Sequence, residues 1–510
     1  MKRIVSVLLA LSLLLSLGLT NALAAEEKAT LTYWAPITDA TVISSWDDNL
    51  SWQLVQEATG IDVVFQSPPT GQETEQFNLL IASRELPDII EYNWSAYAGG
   101  VQKAFDDGVI IPLNDYIDQY APNYKALFEN NPEMSKQVRT DDGQIPVFAA
   151  FSISDYNCMS GFMIRQDWLE ELGLNTPVTF AQWEETLLQL MEKKDLVCGM
   201  AVSLANFFQF ASGVWGIDND YYIDNGVVKY GPATDAYLDA LTAMKRWYDE
   251  GILDADAAAM DTKTMESFMI NDEAAACAGY AGGNMGNIYT AREVAQKPIN
   301  LVGVTYPVAE EGQKNLFANI SWEYRGSGSA AITTSCNNIE AACRLLDYFY
   351  SDEGRIVKSF GVEGQTFEYV DGQPVYTDLI RHNPDGLSMS QAMVKYLRAN
   401  SPWVGYIETG YHEGYVARDV QKQAAKNWTA YAQDSKATKL PMLSLTTEEA
   451  AEMATMKSLI NDYYKEMFVK FVMGQEPLEN FESYRAQLEN LGLSRTLEIY
   501  QAAYERYQSR

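Results

Sequence analysis

Residues 31–65 read LTYWAPITDATVISSWDDNLSWQLVQEATGIDVVF. Leu31 to Trp34 is a short apolar run of strand type. An amphipathic stretch follows from about Asp47 to Ala58 and stops at Gly60, a residue that leaves a helix without steric cost. Ile61 to Phe65 is strand-like again. Strand, helix, strand is the unit of a parallel sheet, because a parallel return needs a long crossover. The same alternation continues downstream. Phe77 to Ser83 has helical periodicity and Leu86-Pro87 ends it. Asp88 to Tyr92 is a buried strand, and Val101 to Asp106 is a short helix stopped by Gly108. The early chain is therefore predicted to be α/β.

Turn chemistry predicts three hairpins. Asp141-Asp142-Gly143 precedes Gln144–Phe148, Asp224-Asn225-Gly226 precedes Val227–Tyr230, and Asp371-Gly372 precedes Val375-Tyr376. Asp-Gly and Asn-Gly supply the positive φ angles of tight hairpins. Helices dominate later. Thr179–Lys193 opens with a Thr179…Gln182 capping box, and Thr234–Glu250 ends at Gly251. Ile339–Tyr350 follows. The last third reads as helices over about Glu413–Ser435, Thr446–Met473, Phe481–Asn490 and Thr496–Tyr507.

The chain has 510 residues, room for two large lobes or about three domains. Lys plus Arg is 37 against 69 Asp plus Glu, a net charge of -32. Such a field repels phosphate backbones and anionic lipid, so no nucleic-acid partner is expected. The two histidines, His382 and His412, exclude His-rich metal sites. Lys2 and Arg3, the apolar run Ile4–Leu19 and Ala22-Leu23-Ala24 make residues 1–24 a secretory signal peptide. The five cysteines, Cys158, Cys198, Cys277, Cys336 and Cys343, are scattered too widely for a disulfide framework and are expected as small buried apolar residues.

Catalytic motifs are missing. Gly279–Gly286 lacks dinucleotide spacing, Gly326–Ser329 lacks nucleophile-elbow spacing, and Asp218-Asn219-Asp220 runs into Tyr221-Tyr222 instead of a calcium loop. The positive signal is aromatic, with 11 Trp, 31 Tyr and 19 Phe, many in polar loop contexts. A flat ring with a polar tip suits a sugar, which has an apolar face and a hydroxyl rim.

Several stretches occur in an order that resembles a known family. They are Leu86-Pro87-Asp88-Ile-Ile; Gly108-Val-Ile-Ile-Pro112-Leu113; Tyr120-Ala-Pro-Asn123; Ile164-Arg165-Gln-Asp167-Trp168-Leu169; and Trp247-Tyr-Asp-Glu-Gly251. Leu346-Asp347-Tyr-Phe-Tyr-Ser-Asp352-Glu353-Gly354, Gly361-Val-Glu-Gly364 and Leu440-Pro-Met-Leu-Ser-Leu-Thr446 follow. In this order they resemble the extracellular solute-binding proteins of carbohydrate ABC transporters.

The resemblance implies a two-lobed, periplasmic-binding-protein-like α/β fold with a hinge, a helix-rich C-terminal part and ligand in the cleft. It puts residues 25–150 and 300–352 in lobe 1, and 151–299 and 353–510 in lobe 2. It implies a secreted or periplasmic monomer that delivers a carbohydrate, an oligosaccharide, to permease subunits. No catalytic residue, metal or cofactor is expected. The same fold binding a peptide or other small solute stays open, as does a secreted glycan-active hydrolase or lyase with paired carboxylates. By local pattern, the candidate ligand residues are Trp34, Asn93, Trp94, Asp155, Tyr156, Asn206, Phe208, Trp215, Tyr280, Asn284, Trp322, Glu323 and Arg325. Two departures stand out. Lys193-Lys194-Asp195-Leu-Val-Cys-Gly199 replaces the calcium loop of many relatives, and no lipid-anchoring Cys follows the signal.

Overall fold

The opening unit forms as its pattern predicts. Strand β1 (Thr30–Trp34) pairs in parallel with β2 (Asp62–Gln66), Leu31 opposite Val63, across the helix Leu50–Thr59. Asn49 caps that helix by accepting from Trp52 N at 3.0 Å, and Gly60 closes it at φ 68°. The computed structural model describes residues 28–152, 158–320, 324–398, 404–408, 410–416 and 418–510, without the side chains of Ser95, Arg325 and Ser327. The signal segment, Asp155, Tyr156, Trp322 and Glu323 lie outside the described residues, as does the Arg325 side chain.

Two sheets organise the described residues. The first runs β14 (Gly405–Ile407), β4 (Phe148–Ser152), β11 (Tyr324–Ile332), β3 (Ile89–Tyr92), β1, β2, with β11 antiparallel to both neighbours. The second runs β10 (Leu301–Gly303), β5 (Ser160–Arg165), β9 (Ala274–Tyr280), β6 (Cys198–Ala201), with β5 antiparallel to β9 and β10. Separate apolar cores cover them. One gathers Tyr33, Trp52, Tyr124, Phe148 and Phe349; the other gathers Trp183, Phe207, Tyr237, Trp247 and Trp428. The helices Thr447–Val472, Phe481–Asn490 and Leu493–Ser509 add Phe468, Phe471, Tyr484 and Leu493 to the second core. All five cysteines are buried and unpaired.

Two of the three hairpins form. They are β7 (Tyr221–Asp224) with β8 (Val227–Tyr230), and β12 (Phe367–Val370) with β13 (Gln373–Tyr376). Their turns hold Asn225 and Gly226 at φ 50° and 84°, and Asp371 and Gly372 at φ 52° and 77°. The Asp141 turn makes no hairpin. It closes on itself, with Thr140 N donating to Gln144 O at 2.9 Å, and Asn114 takes the Ile145 N–H at 2.8 Å. Gln144 to Val147 stay unpaired with any strand, and β4 then joins β11 and β14.

The expected lobe boundaries differ from the sheet membership. Leu301–Gly303 extends the second sheet, so residues 300–320 do not belong with lobe 1. Gly405–Ile407 extends the first sheet, and Asn49 Nδ2 donates to Val394 O and Leu397 O, so residues 353–407 pack on lobe 1 instead of lobe 2. The single helix expected over Glu413–Ser435 is broken into Tyr411–Tyr415, Asp419–Trp428 and Ala432–Ser435. The break falls where the chain changes lobe. In chain order, β4 of the first sheet is followed by β5 of the second, and β10 of the second by β11 of the first.

Candidate ligand-binding cleft

Both sheets turn the same kind of edge toward the crossings. In the first, β1, β3, β4 and β14 run one way and end at Trp34, Tyr92, Ser152 and Ile407. In the second, β6, β9 and β10 end on the side where β5 begins, just past a crossing. Open α/β sheets bind ligands outside such carboxyl ends, where loops diverge and backbone groups are free to recognise a guest.

Three cavities follow one another there. The first, about 650 Å³, lies between the turn after β3 and the C-terminal helices, with Trp94, Tyr97, Met453 and Tyr500 in its wall. The second, about 300 Å³, is polar: Gln209, Asp218, Asp220, Asn319, Lys439 and Lys457 face it. The third, about 270 Å³, is lined by Asn206, Gln209, Asp261, Tyr280 and Asn284. Lys457 and Tyr500 border the first and second, and Gln209 borders the second and third.

Each wall has a local cause. Trp94 sits in the turn Trp94–Ala96, its Nε1 donating to Ile90 O at 3.2 Å, its ring stacked with Tyr97 and edge-on to Phe77. In the helix Leu204–Ala211, Phe207, Phe208 and Phe210 are buried. Asn206 and Gln209, three residues apart, therefore share the open face. Asn284 is nearly buried. Its Oδ1 accepts from Tyr280 N at 2.8 Å and its Nδ2 donates to Glu266 Oε1 at 2.9 Å. That pair fixes the end of β9 and leaves the Tyr280 ring 57% exposed over the third cavity.

Of the predicted site residues, Trp94 lines the first cavity and Asn206, Tyr280 and Asn284 meet at the third. Trp34 and Phe208 line none of the three cavities. Trp34 is buried against Phe77 and Tyr92, and Phe208 is packed on Tyr237 and Phe468. Trp215 rests edge-on against Phe180, Asn93 only flanks Trp94, and neither lines a cavity described above. Tyr97, Gln209, Asp218, Asp220, Lys439, Lys457 and Tyr500 also line these cavities and are not among the predicted residues. The Asp218-Asn219-Asp220 triplet was a visible signal, read only against a calcium loop. Among the described residues no group of three or more His, Cys, Asp or Glu gathers as a metal site.

Burial pushes the Asp218 carboxyl up to about 6; Asp220 adds to the rise and Lys439 opposes it. Between pH 4 and 6 the folded protein thus holds a proton that the unfolded chain has released. Stability falls as pH rises through that window. Asp218→Asn is expected to raise stability at pH 7 by about 2 kcal/mol, with no gain below pH 4. Denaturant melts across pH check this; an equal gain at every pH would refute it.

A set of polar contacts joins lobe 1 to the C-terminal helices. Arg506, on the last helix, bonds Asp141 Oδ2 of lobe 1 at 2.5 Å and Glu449 at 2.5 and 3.0 Å. Arg510 also pairs with Asp141 and donates to Arg139 O at 2.6 Å. Thr447 Oγ1 reaches Asp106 Oδ2 at 2.5 Å. These bonds tie the first lobe to the C-terminal helices.

Two α/β lobes with adjoining cavities at their carboxyl strand ends define a two-lobed binding protein. The chain belongs to the bacterial extracellular solute-binding proteins, whose family model matches residues 35–356. It is 25% identical to lipoprotein LipO of Bacillus subtilis (strain 168) over 410 residues, 76% of this chain and 77% of that protein. It is 24% identical over 526 residues to the fructooligosaccharide ABC transporter substrate-binding protein FusA of Streptococcus pneumoniae serotype 4 (strain ATCC BAA-334 / TIGR4). That match covers 95% of this chain and 91% of FusA. The crystal structure of the alginate-binding protein AlgQ2 without calcium ion shares the fold. Its TM-score is 0.76 at 22% identity, over 94% of this chain and 99% of that one.

Proposed function

We propose that this protein captures an oligosaccharide in the cleft and delivers it, unchanged, to the permease of an ABC transporter outside the cytoplasmic membrane. The observation that carries this is the row of three adjoining cavities with aromatic rings and hydrogen-bonding groups along one cleft. A ring gives a sugar's apolar face a partner, and the amides, carboxylates and ammonium groups between the rings match its hydroxyls. FusA, matched along most of both chains, is named for fructooligosaccharide.

Capture works by closure. A ligand that touches both lobes binds the closed arrangement better than the open one and shifts the population toward it. The Asp141–Arg506–Glu449 contacts give the closed arrangement bonds of its own. The permease then reads the closed shape.

The test is thermal unfolding of the mature protein against mono- and oligosaccharides, with peptides as controls. A ligand at 100 times its Kd stabilises the native state by about 2.7 kcal/mol. One glycan class is expected to shift the melt and be recovered intact. A shift with peptides alone would overturn the carbohydrate reading, and cleaved glycan would overturn simple delivery. Tyr280→Ala is expected to weaken binding about tenfold, ~1.4 kcal/mol, with the unliganded melt unchanged, since the ring is mostly exposed. Trp94→Ala is the poorer probe, because that indole is 2% exposed and holds core contacts.

A further inference from the structure

We infer that the sugar unit held in the second cavity is uncharged, and that Asp218 and Asp220 select for it. The inference rests on the carbohydrate reading and deepens it.

The cavity is polar but balanced. Asp218 and Asp220 face it together with Lys439 and Lys457. Each ammonium is held by a hydrogen bond to the protein and lies in the field of a carboxylate. Lys439 donates to Ile320 O, and Asp218 feels its charge. Lys457 donates to Tyr500 Oη at 2.9 Å, and Asp220 feels its charge. Among the described lining residues of this cavity, no cation stands without a carboxylate to offset it. A uronate entering here is repelled by two carboxylates that also offset the attraction of the two lysines, a like-charge arrangement that suppresses binding. An amino sugar gains from the carboxylates but is opposed by the lysines.

An uncharged sugar fits all four groups. Adjacent hydroxyls donate a pair of hydrogen bonds to one carboxylate and accept from amide or ammonium donors. Gln209 and Asn319 supply further amides at the rim. The fold itself does not decide this. AlgQ2, by its name, binds alginate, a polyuronate. The charge of the accepted ligand is set by residues such as these in each chain.

The test measures affinity by calorimetry for neutral fructo-, gluco- and manno-oligosaccharides, for oligogalacturonides and for chitosan oligosaccharides. At least one neutral series is expected to bind, with oligogalacturonides at least tenfold weaker. Asp220→Asn, at the more open carboxylate, is expected to improve the uronate-to-neutral affinity ratio at least threefold, and D218N/D220N to improve it further. Thermal melts check that both variants fold; the single variant keeps the test intact if the double one does not. Uronate or aminated chains binding tighter than every neutral chain would overturn the inference and leave the carbohydrate reading standing. So would a ratio unchanged in the variants. Binding by peptides and by no glycan would overturn the carbohydrate reading itself.

Discussion

Glu91→Ala is expected to destabilise the protein by about 3–5 kcal/mol. Glu91 is fully buried on β3. Its Oε2 accepts from Tyr33 Oη at 2.6 Å and from Arg398 Nη2 at 2.7 Å, and its Oε1 accepts from Val404 N at 2.9 Å. The Arg398 guanidinium is also buried, over the rings of Trp46 at 4.6 Å and Trp52 at 5.2 Å. Removing the carboxylate takes from that buried cation its ion-pair partner at 2.7 Å, in an apolar, aromatic setting. It also frees Tyr33 and Val404, which anchor β1 and the start of β14. Urea unfolding measures the loss. Arg398→Met in the Glu91→Ala background should recover part of it, because the buried charge is then gone. A single-variant loss under 1 kcal/mol would refute the account. The effect reaches the cleft, since Trp94 stands three residues beyond Glu91.

Gly231→Ala should cost about 2–4 kcal/mol and weaken glycan binding as well. A Cβ at Gly231 would lie 1.8 Å from the Asp218 carbonyl oxygen and 2.9 Å from its carbon. These are backbone atoms, with no side chain to swing aside. Gly231 N also donates to Asp220 O at 3.1 Å, so the glycine holds the segment that carries both cavity carboxylates. Relief of the clash must move Asp218 and Asp220 together. Melting and titration of one preparation test it. Lost stability with undiminished affinity would show that the segment does not hold ligand.

Local signals were the legible ones. The Thr179…Gln182 box caps Phe180–Lys194 as predicted, and Asn225-Gly226 turns as predicted, because each rests on atoms within a few residues. The same locality explains the misses. Nothing in the run Phe207-Phe208-Gln209-Phe210 marks the glutamine as the residue that faces the cleft. The aromatic residues look like ligand platforms until the second core claims them. The sheet membership of Leu301–Gly303 and Gly405–Ile407 is not legible in the sequence, because a short strand joining a sheet edge leaves no mark in its own residues.

By itself the sequence determined the α/β class, the helical end, the turns and the order of family stretches. Periodicity, caps and turn residues act over three to seven positions and are written along the chain. The cleft was decided by tertiary structure alone. Asp218 meets Lys439, Lys457 and Tyr500 from more than 200 residues away. Their charges offset one another only because the C-terminal helices pack on the second lobe, a long-range event driven by apolar burial and indifferent to the polar groups it brings together.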